Sequence, residues 1–346
     1  MDTGKLLLPI VVIGGGLLAG YLVRLRHLAT VPAGEPGLRY ISRMIKLIGI
    51  AVFAPPIVLI SMLARPLSGS EVWSMSLLGA VALLTGAVAG RVIIAMRNPP
   101  DREAGAFLGC AAMTNILSFG GLICYVFWRE AGLQLTYLFK LFEQVLYFGV
   151  FYTWCSLYSP DLPPDRRGVL QSFRRNPITL VPLGTVLAGI LLNAWVFRDG
   201  DFQLPAITLE INRIVVPLQT ALMAFAVGLT MAPARVARYK KEIGYVSAIK
   251  FGVMPAVTAM LALVLYRAGY LTESGLRVAV VLSAMPVAFN SLIPPSLYHL
   301  DEDLANSCWI ATTCCLLLLV PLLYFLVGPG ASGLLFENGH LIAADK

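Results

Sequence analysis

Charge is what this chain has least of. Of 346 residues only 26 are Lys or Arg and 19 are Asp or Glu, 13% in all, where a soluble domain carries about 25%. So thin a polar coat cannot cover a water-soluble globule, and the composition excludes one. Histidine is nearly absent, with His27, His299 and His340 far apart. The six cysteines (Cys110, Cys124, Cys155, Cys308, Cys314 and Cys315) fall inside apolar runs without a C-x-x-C spacing. Neither a zinc site nor a histidine-based triad can be assembled from that spacing, so no metal and no cofactor is expected. Long polar stretches are missing too, since the widest gap between apolar runs, 159–177, is too short to bury a core of its own. With no paired nucleophile and base and no clustered ligands, the chain does not read as an enzyme. The net charge of +7 would suggest nucleic acid in a soluble protein, but in so apolar a chain it reads as topology, with no nucleic-acid partner.

What is present is apolar sequence: 58% of the residues, with a mean hydropathy of +0.78. At about 20 residues per crossing, this accommodates ten helices with short loops. Reading apolar runs against the breakers between them gives segments at about 5–25, 40–64, 73–95, 104–128, 131–158, 177–197, 208–232, 242–268, 275–299 and 303–328. Loops carry Pro and Gly, as in Asn98-Pro99-Pro100 and Leu162-Pro163-Pro164. The first run lacks a basic leader and a small-residue cleavage site, so it reads as a helix rather than a cleaved signal. The fold class expected is an all-α polytopic membrane protein with the lipid bilayer as its solvent.

Basic residues set the orientation, because Lys and Arg flanking a span are retained on the cytoplasmic side. Arg24, Arg26, Arg39, Arg43, Lys46, Arg91, Arg97, Arg102, Arg166, Arg167, Arg174, Arg175, Arg235, Arg238, Lys240 and Lys241 follow odd-numbered segments. Lys5, Arg65, Arg129, Arg198, Arg213, Arg267, Arg277 and Lys346 lie on the opposite side. Both termini are therefore expected outside a plasma or bacterial inner membrane, with the fifth-to-sixth linker cytoplasmic.

Segments one to five and six to ten form two blocks of nearly equal length, and an odd number of spans per block makes the halves inverted. A shift of 173 positions aligns Leu8-Pro9 with Val181-Pro182 and Gly16 with Gly189. Both halves carry an interruption at a matching place: Ala112-Met113-Thr114-Asn115-Ile116-Leu117-Ser118-Phe119-Gly120-Gly121 in the fourth segment, and Ala284-Met285-Pro286-Val287-Ala288-Phe289-Asn290-Ser291 in the ninth. Proline removes a donor and glycine lets the chain unwind. The freed backbone groups must then face protein or a water-filled cavity, and half-helix N-termini there suit an anion. The candidate binding residues are Asn115, Asn290, Thr114, Ser118 and Ser291, which offer amide and hydroxyl groups, with Pro286, Gly120 and Gly121 at the breaks.

From the ninth segment onward the sequence resembles a known family. Ser283-Ala284-Met285-Pro286, Asn290, Tyr298, Asp301-Glu302-Asp303-Leu304-Ala305 and Pro321 are similar to the auxin efflux carriers and the bacterial permeases for small carboxylates. Leu183-Gly184 after Asn176-Pro177, Val216-Pro217 with Gly228, and Lys250 before Pro255 extend the likeness. The resemblance implies ten helices in two inverted five-helix repeats, the fold of the bile-acid symporter relatives, with broken fourth and ninth helices that cross. It further implies a scaffold at 1–70 and 177–235, a mobile transport domain at 71–160 and 236–330, a cytoplasmic basic loop at 161–176 and an outside tail at 331–346. Transport would be elevator-type alternating access. Thr114 departs from the family, whose plant members carry proline in that break.

Other features have competing readings. Lys140 and Glu143, three apart, neutralise each other as a structural pair or take part in coupling. Lys250 snorkels from a helix end or takes part in coupling. Glu210 and Arg213 read as interfacial. Gly14-Gly15-Gly16 with Ala19 mimics a dinucleotide motif, but no strand precedes it, and it reads as close helix packing. The function expected is a secondary transporter of a small organic anion, a monocarboxylate or dicarboxylate, resting on apolar neighbours such as Leu117, Phe119, Phe289 and Leu292. The alternatives are a sodium-coupled symporter and a non-transporting sensor. A homodimer through the scaffold helices is the oligomer the fold would allow.

Overall fold

The computed structural model of the chain describes residues 3–31, 34–160, 181–198, 202–231, 233–328, 336–337 and 340–341. The basic linker expected at 161–176 and both chain ends lie outside the described residues. Those residues are helical throughout, apart from a two-residue antiparallel pair between Phe336–Glu337 and His340–Leu341.

Local chemistry sets the helix ends. The third segment, Gly69–Arg97, starts where Ser68 Oγ accepts the N–H of Glu71 and stops where Asn98 turns left-handed at φ 44° before Pro99-Pro100. Thr272 caps Glu273–Ser283 through the N–H of Gly275, and Asp301 caps Glu302–Cys314 through the N–H of Leu304. The second segment begins at Glu35 rather than near 40 and runs through a π-turn, Gly49–Phe53, into Ala54–Met62. Lys46, counted above among the basic residues that follow the first segment, lies well inside this helix.

The fourth and fifth segments are joined without a loop. Arg129 adopts φ 56° and ψ −140°, and the chain reverses there. Gly121 consequently packs against Leu133 and Thr136, and Gly132 against the Cys124 carbonyl and Trp128. The 41-residue apolar stretch Ile116–Ser156 is thus two antiparallel limbs. By length and composition, 6 described helices can cross a membrane, or 7 when Glu302–Cys314 and Leu316–Val327, bent by 45°, count as one span. The ten crossings expected from sequence are not reached by that measure: the fourth and ninth segments are interrupted, the fourth and fifth form one stretch across Arg129, and the sixth is described only from Val181.

Loops gather at two opposite rims. At one, the Asp301 N–H donates to the Arg102 carbonyl, the Tyr239 hydroxyl to the Asp301 carboxylate, and Arg97 pairs with Glu242. At the other, buried Glu71 takes Arg65 at 3.0 Å and the Thr272 hydroxyl at 3.0 Å, while Arg277 donates to the Gly328 carbonyl. The loops after the third, seventh and ninth segments share the first rim.

Between the rims the helices pack in two groups. Thr3–Thr30 lies along Ala206–Gly228, with backbone meeting backbone at Gly16, Gly20 and Gly228, whereas Gly14 and Gly15 touch nothing. Ala54–Met62 packs on Val181–Val196, where Gly189 faces Met62. The third, fourth, fifth, eighth, ninth and tenth segments pack on one another. Small residues permit this: Gly79 lies on the Phe139 backbone, and Gly86 and Gly90 lie on Ala111. Large apolar side chains point outward, among them Leu191 (72% exposed), Trp195 (73%) and Leu318 (80%). An apolar exterior of this kind suits lipid rather than water.

Candidate functional site

The two interruptions lie against each other. Helix Asp101–Ala112 gives way to an extended Met113-Thr114-Asn115 before the π-turn Ile116–Gly121. Helix Glu273–Ser283 ends before Pro286 and resumes through the short turn Phe289–Leu292. Thr114 and Val287 form an antiparallel bridge, flanked by Asn115 N–H to the Pro286 carbonyl at 2.8 Å and Ala288 N–H to the Met113 carbonyl at 3.0 Å. On the outer edges, the Tyr147 hydroxyl accepts from Thr114 N–H at 2.8 Å and donates to its carbonyl at 2.7 Å. The N–H of Val287 donates to Thr312 Oγ1 at 3.3 Å. Backbone groups freed by the breaks therefore find protein partners, as a membrane interior demands. An anion site here must draw on side chains rather than on the N–H groups of Thr114, Asn115, Val287 and Ala288.

The expected side chains divide into used and open ones. Asn115 is 8% exposed and its side-chain amide has no hydrogen-bond partner among the described residues. Asn290 is half-buried, and only its carbonyl is engaged, by the Tyr152 hydroxyl at 3.0 Å. Ser118, half-buried one turn beyond Asn115, also keeps its hydroxyl free among the described residues. The antiparallel register places the two asparagines at opposite ends of the crossing, not side by side. Ser291 is committed, its hydroxyl donating to the Ala288 carbonyl at 2.7 Å. Gly120 and Gly121 are packing positions, the first against Leu282 and Met285 and the second against Leu117, Leu133 and Thr136. Pro286 contributes its carbonyl to the bridge.

Two lysines that the sequence reading placed elsewhere meet at the crossing. Lys250 does not snorkel from a helix end: it is 0% exposed, and its ammonium donates to Thr114 Oγ1 at 2.7 Å, with Met254 Sδ at 3.7 Å. The signal was present in the sequence, because Val246, Lys250, Met254, Thr258 and Ala262 recur every fourth residue, and all are buried. Lys46, on the second segment, sits over the Phe289 ring at 3.0 Å from its centroid, next to Asn290. Its i−4 neighbour Ser42 is buried, its hydroxyl donating to the Ala226 carbonyl, and marks the same inward face. Lys140 and Glu143 do pair, at 3.3 Å and almost fully buried, where the fifth segment is interrupted by a turn.

At the rim, burial and the Asp301 carboxylate push the Tyr239 hydroxyl up to about 12, and burial followed by Asp301 and Glu242 raises the Glu103 carboxyl. Among the described residues no group of His, Cys, Asp and Glu is placed to hold a metal. No family model matches the sequence and no curated protein matches it, so the likeness to auxin efflux carriers rests on the residues quoted above.

Proposed function

We propose that the chain is a secondary membrane carrier for a small organic anion, with its site at the crossing of the fourth and ninth segments. The observation that carries this reading is a set of side chains at two broken helices: the uncommitted amides of Asn115 and Asn290 flank the crossing, with the ammonium of Lys250 on Thr114 and that of Lys46 over Phe289. Amides orient a carboxylate and ammonium groups balance its charge. A tricarboxylate would ask for more positive charge than two lysines supply.

An inverted repeat of ten crossings is supported by the bridge itself. Thr114 and Val287 lie 173 positions apart, the shift that aligns Leu8-Pro9 with Val181-Pro182. A two-fold relation between halves would place its axis through that pair. Tyr147 and Thr312, from the fifth and tenth segments, hold Thr114 and Val287 respectively, which fits the same relation. The two packing groups correspond to scaffold (first, second, sixth and seventh segments) and transport domain, and alternating access would slide one on the other.

A sodium-coupled symporter is disfavoured by two features: Thr114 Oγ1 is taken by Lys250, and neither break contains a carboxylate. Reconstitution into liposomes with labelled acetate, benzoate and succinate tests the carrier reading. Saturable counterflow of at least one acid, with its amide or methyl ester moving at least tenfold more slowly (about 1.4 kcal/mol), is the expected result. Equal movement of neutral analogues would make it a neutral-solute carrier, and binding without flux a sensor.

A further inference from the structure

Several other buried or partly buried cations in this protein have acidic neighbours, whereas Lys46 rests on the Phe289 ring. Lys140 has Glu143 at 3.3 Å, Arg65 has Glu71 at 3.0 Å, and Arg277 has Glu273 at 2.5 Å. Lys250 is more deeply buried than any of them, at 0% exposed, yet no carboxylate lies within ion-pair distance among the described residues. Its donors meet a hydroxyl and a thioether. An ammonium has three donors, and a buried charge without a counter-charge is costly, so the position calls for an anion that comes and goes. Lys250 also stands inside the π-turn Ile249–Val253, a local widening that is frequent at functional sites. It reaches the one residue of the fourth segment that bridges the ninth.

We propose that the Lys250 ammonium is a covalently tethered cation occupying the coupling-ion position of this carrier, so that a bound carboxylate is balanced without a dissolved alkali cation. The proposal rests on the carrier reading for its consequence, but its geometry stands without it. Thr114 Oγ1, an oxygen that would otherwise suit sodium, is held by the lysine. The eighth segment belongs to the same packing group as both breaks, so this charge travels with the site, whereas Lys46 belongs to the second segment. With a monocarboxylate bound, the Lys250–substrate pair carries no net charge, and the empty site carries one positive charge.

The test uses the full-length chain in detergent and in liposomes. K250A should unfold at a lower temperature than wild type, and methylammonium should restore at least about half of that loss while leaving wild type unmoved. Tetramethylammonium, too large for the vacated space, should restore none. K250M, which fills the space without charge, should not respond to methylammonium. A folded K250A that methylammonium fails to stabilise overturns the proposal, as does a K250M that responds as K250A does. In liposomes, counterflow of labelled acetate, benzoate or succinate by wild type should change by less than about twofold when choline replaces sodium, and K250M should lose at least about tenfold. A tenfold sodium requirement, or an unimpaired K250M, also overturns the tethered cation. Absence of any carboxylate counterflow by wild type counts instead against the carrier reading, and the methylammonium result still decides the role of Lys250, including in a K250A too unstable to transport.

Discussion

Tyr147 holds Thr114 at both of its backbone polar groups: one phenol oxygen accepts the N–H at 2.8 Å and donates to the carbonyl at 2.7 Å. Val287, opposite Thr114 in the bridge, has only its N–H held, by Thr312 Oγ1 at 3.3 Å. The Y147F variant strands the Thr114 N–H and removes one of two donors from its carbonyl, which keeps the Ile116 N–H at 2.9 Å, whereas T312V strands one N–H held at 3.3 Å. Each stranded group costs about 1 to 3 kcal/mol. Thermal unfolding should therefore fall further for Y147F than for T312V, and equal shifts would show that the crossing does not depend on these hydroxyls.

Asn115→Ala and Asn290→Ala remove amides that hydrogen-bond to none of the described residues. Each should weaken carboxylate binding by roughly 1 to 3 kcal/mol and leave the unfolding temperature within about 2 °C of wild type. Calorimetry on purified protein reads both quantities. Parallel loss of stability and binding would mean that the amides serve packing.

The packing groups are fastened at one rim. Asn212 Nδ2 donates to Glu130 Oε2 at 3.1 Å and to Ser61 Oγ at 3.3 Å. Gln134 Nε2 donates to the Met62 and Arg65 carbonyls. Cysteines at 130 and 212 joined by a bifunctional methanethiosulfonate should stop flux, and reduction of the linker should restore it. Normal transport by the cross-linked protein would exclude sliding of one group on the other.

Orientation is open to labelling. Gly69 and Asp101 are exposed at opposite rims. In intact cells a membrane-impermeant maleimide should label G69C and spare D101C until lysis, as the basic residues flanking the second rim's counterpart require. The reverse pattern would invert the protein.

Much of this was legible because helix ends and breaks are written in local chemistry. Ser68, Asn98, Thr272 and Asp301 mark ends, and Pro286 marks the ninth break with no help from tertiary contacts. The partners of a break are another matter. That Asn115 N–H meets the Pro286 carbonyl depends on residues 171 positions apart, which no local pattern encodes. A positive charge near the end of a segment is expected to lie in water, and only the register of Lys46 with Ser42 marks it as inward. Gly120 and Gly121 suggested unwinding, since glycine permits it, but their hydrogen side chains are needed for the approach of Met285, Leu282 and Leu133. Arg129, which reverses the chain, falls in the charged gap Arg129-Glu130 between the segments read at 104–128 and 131–158, although it is neither Gly nor Asn.

The contact of Gly20 with Gly228 bears on how the protein is made. The backbone partner of the first helix is translated roughly 200 residues after it, a delay of about 10 to 40 s at ordinary elongation rates. Throughout that interval the glycine face of the nascent helix is unmatched. A chaperone or insertase that shields small-residue grooves would thus act on this chain before its own seventh segment arrives, and slowing elongation between the two should increase degradation of the newborn chain.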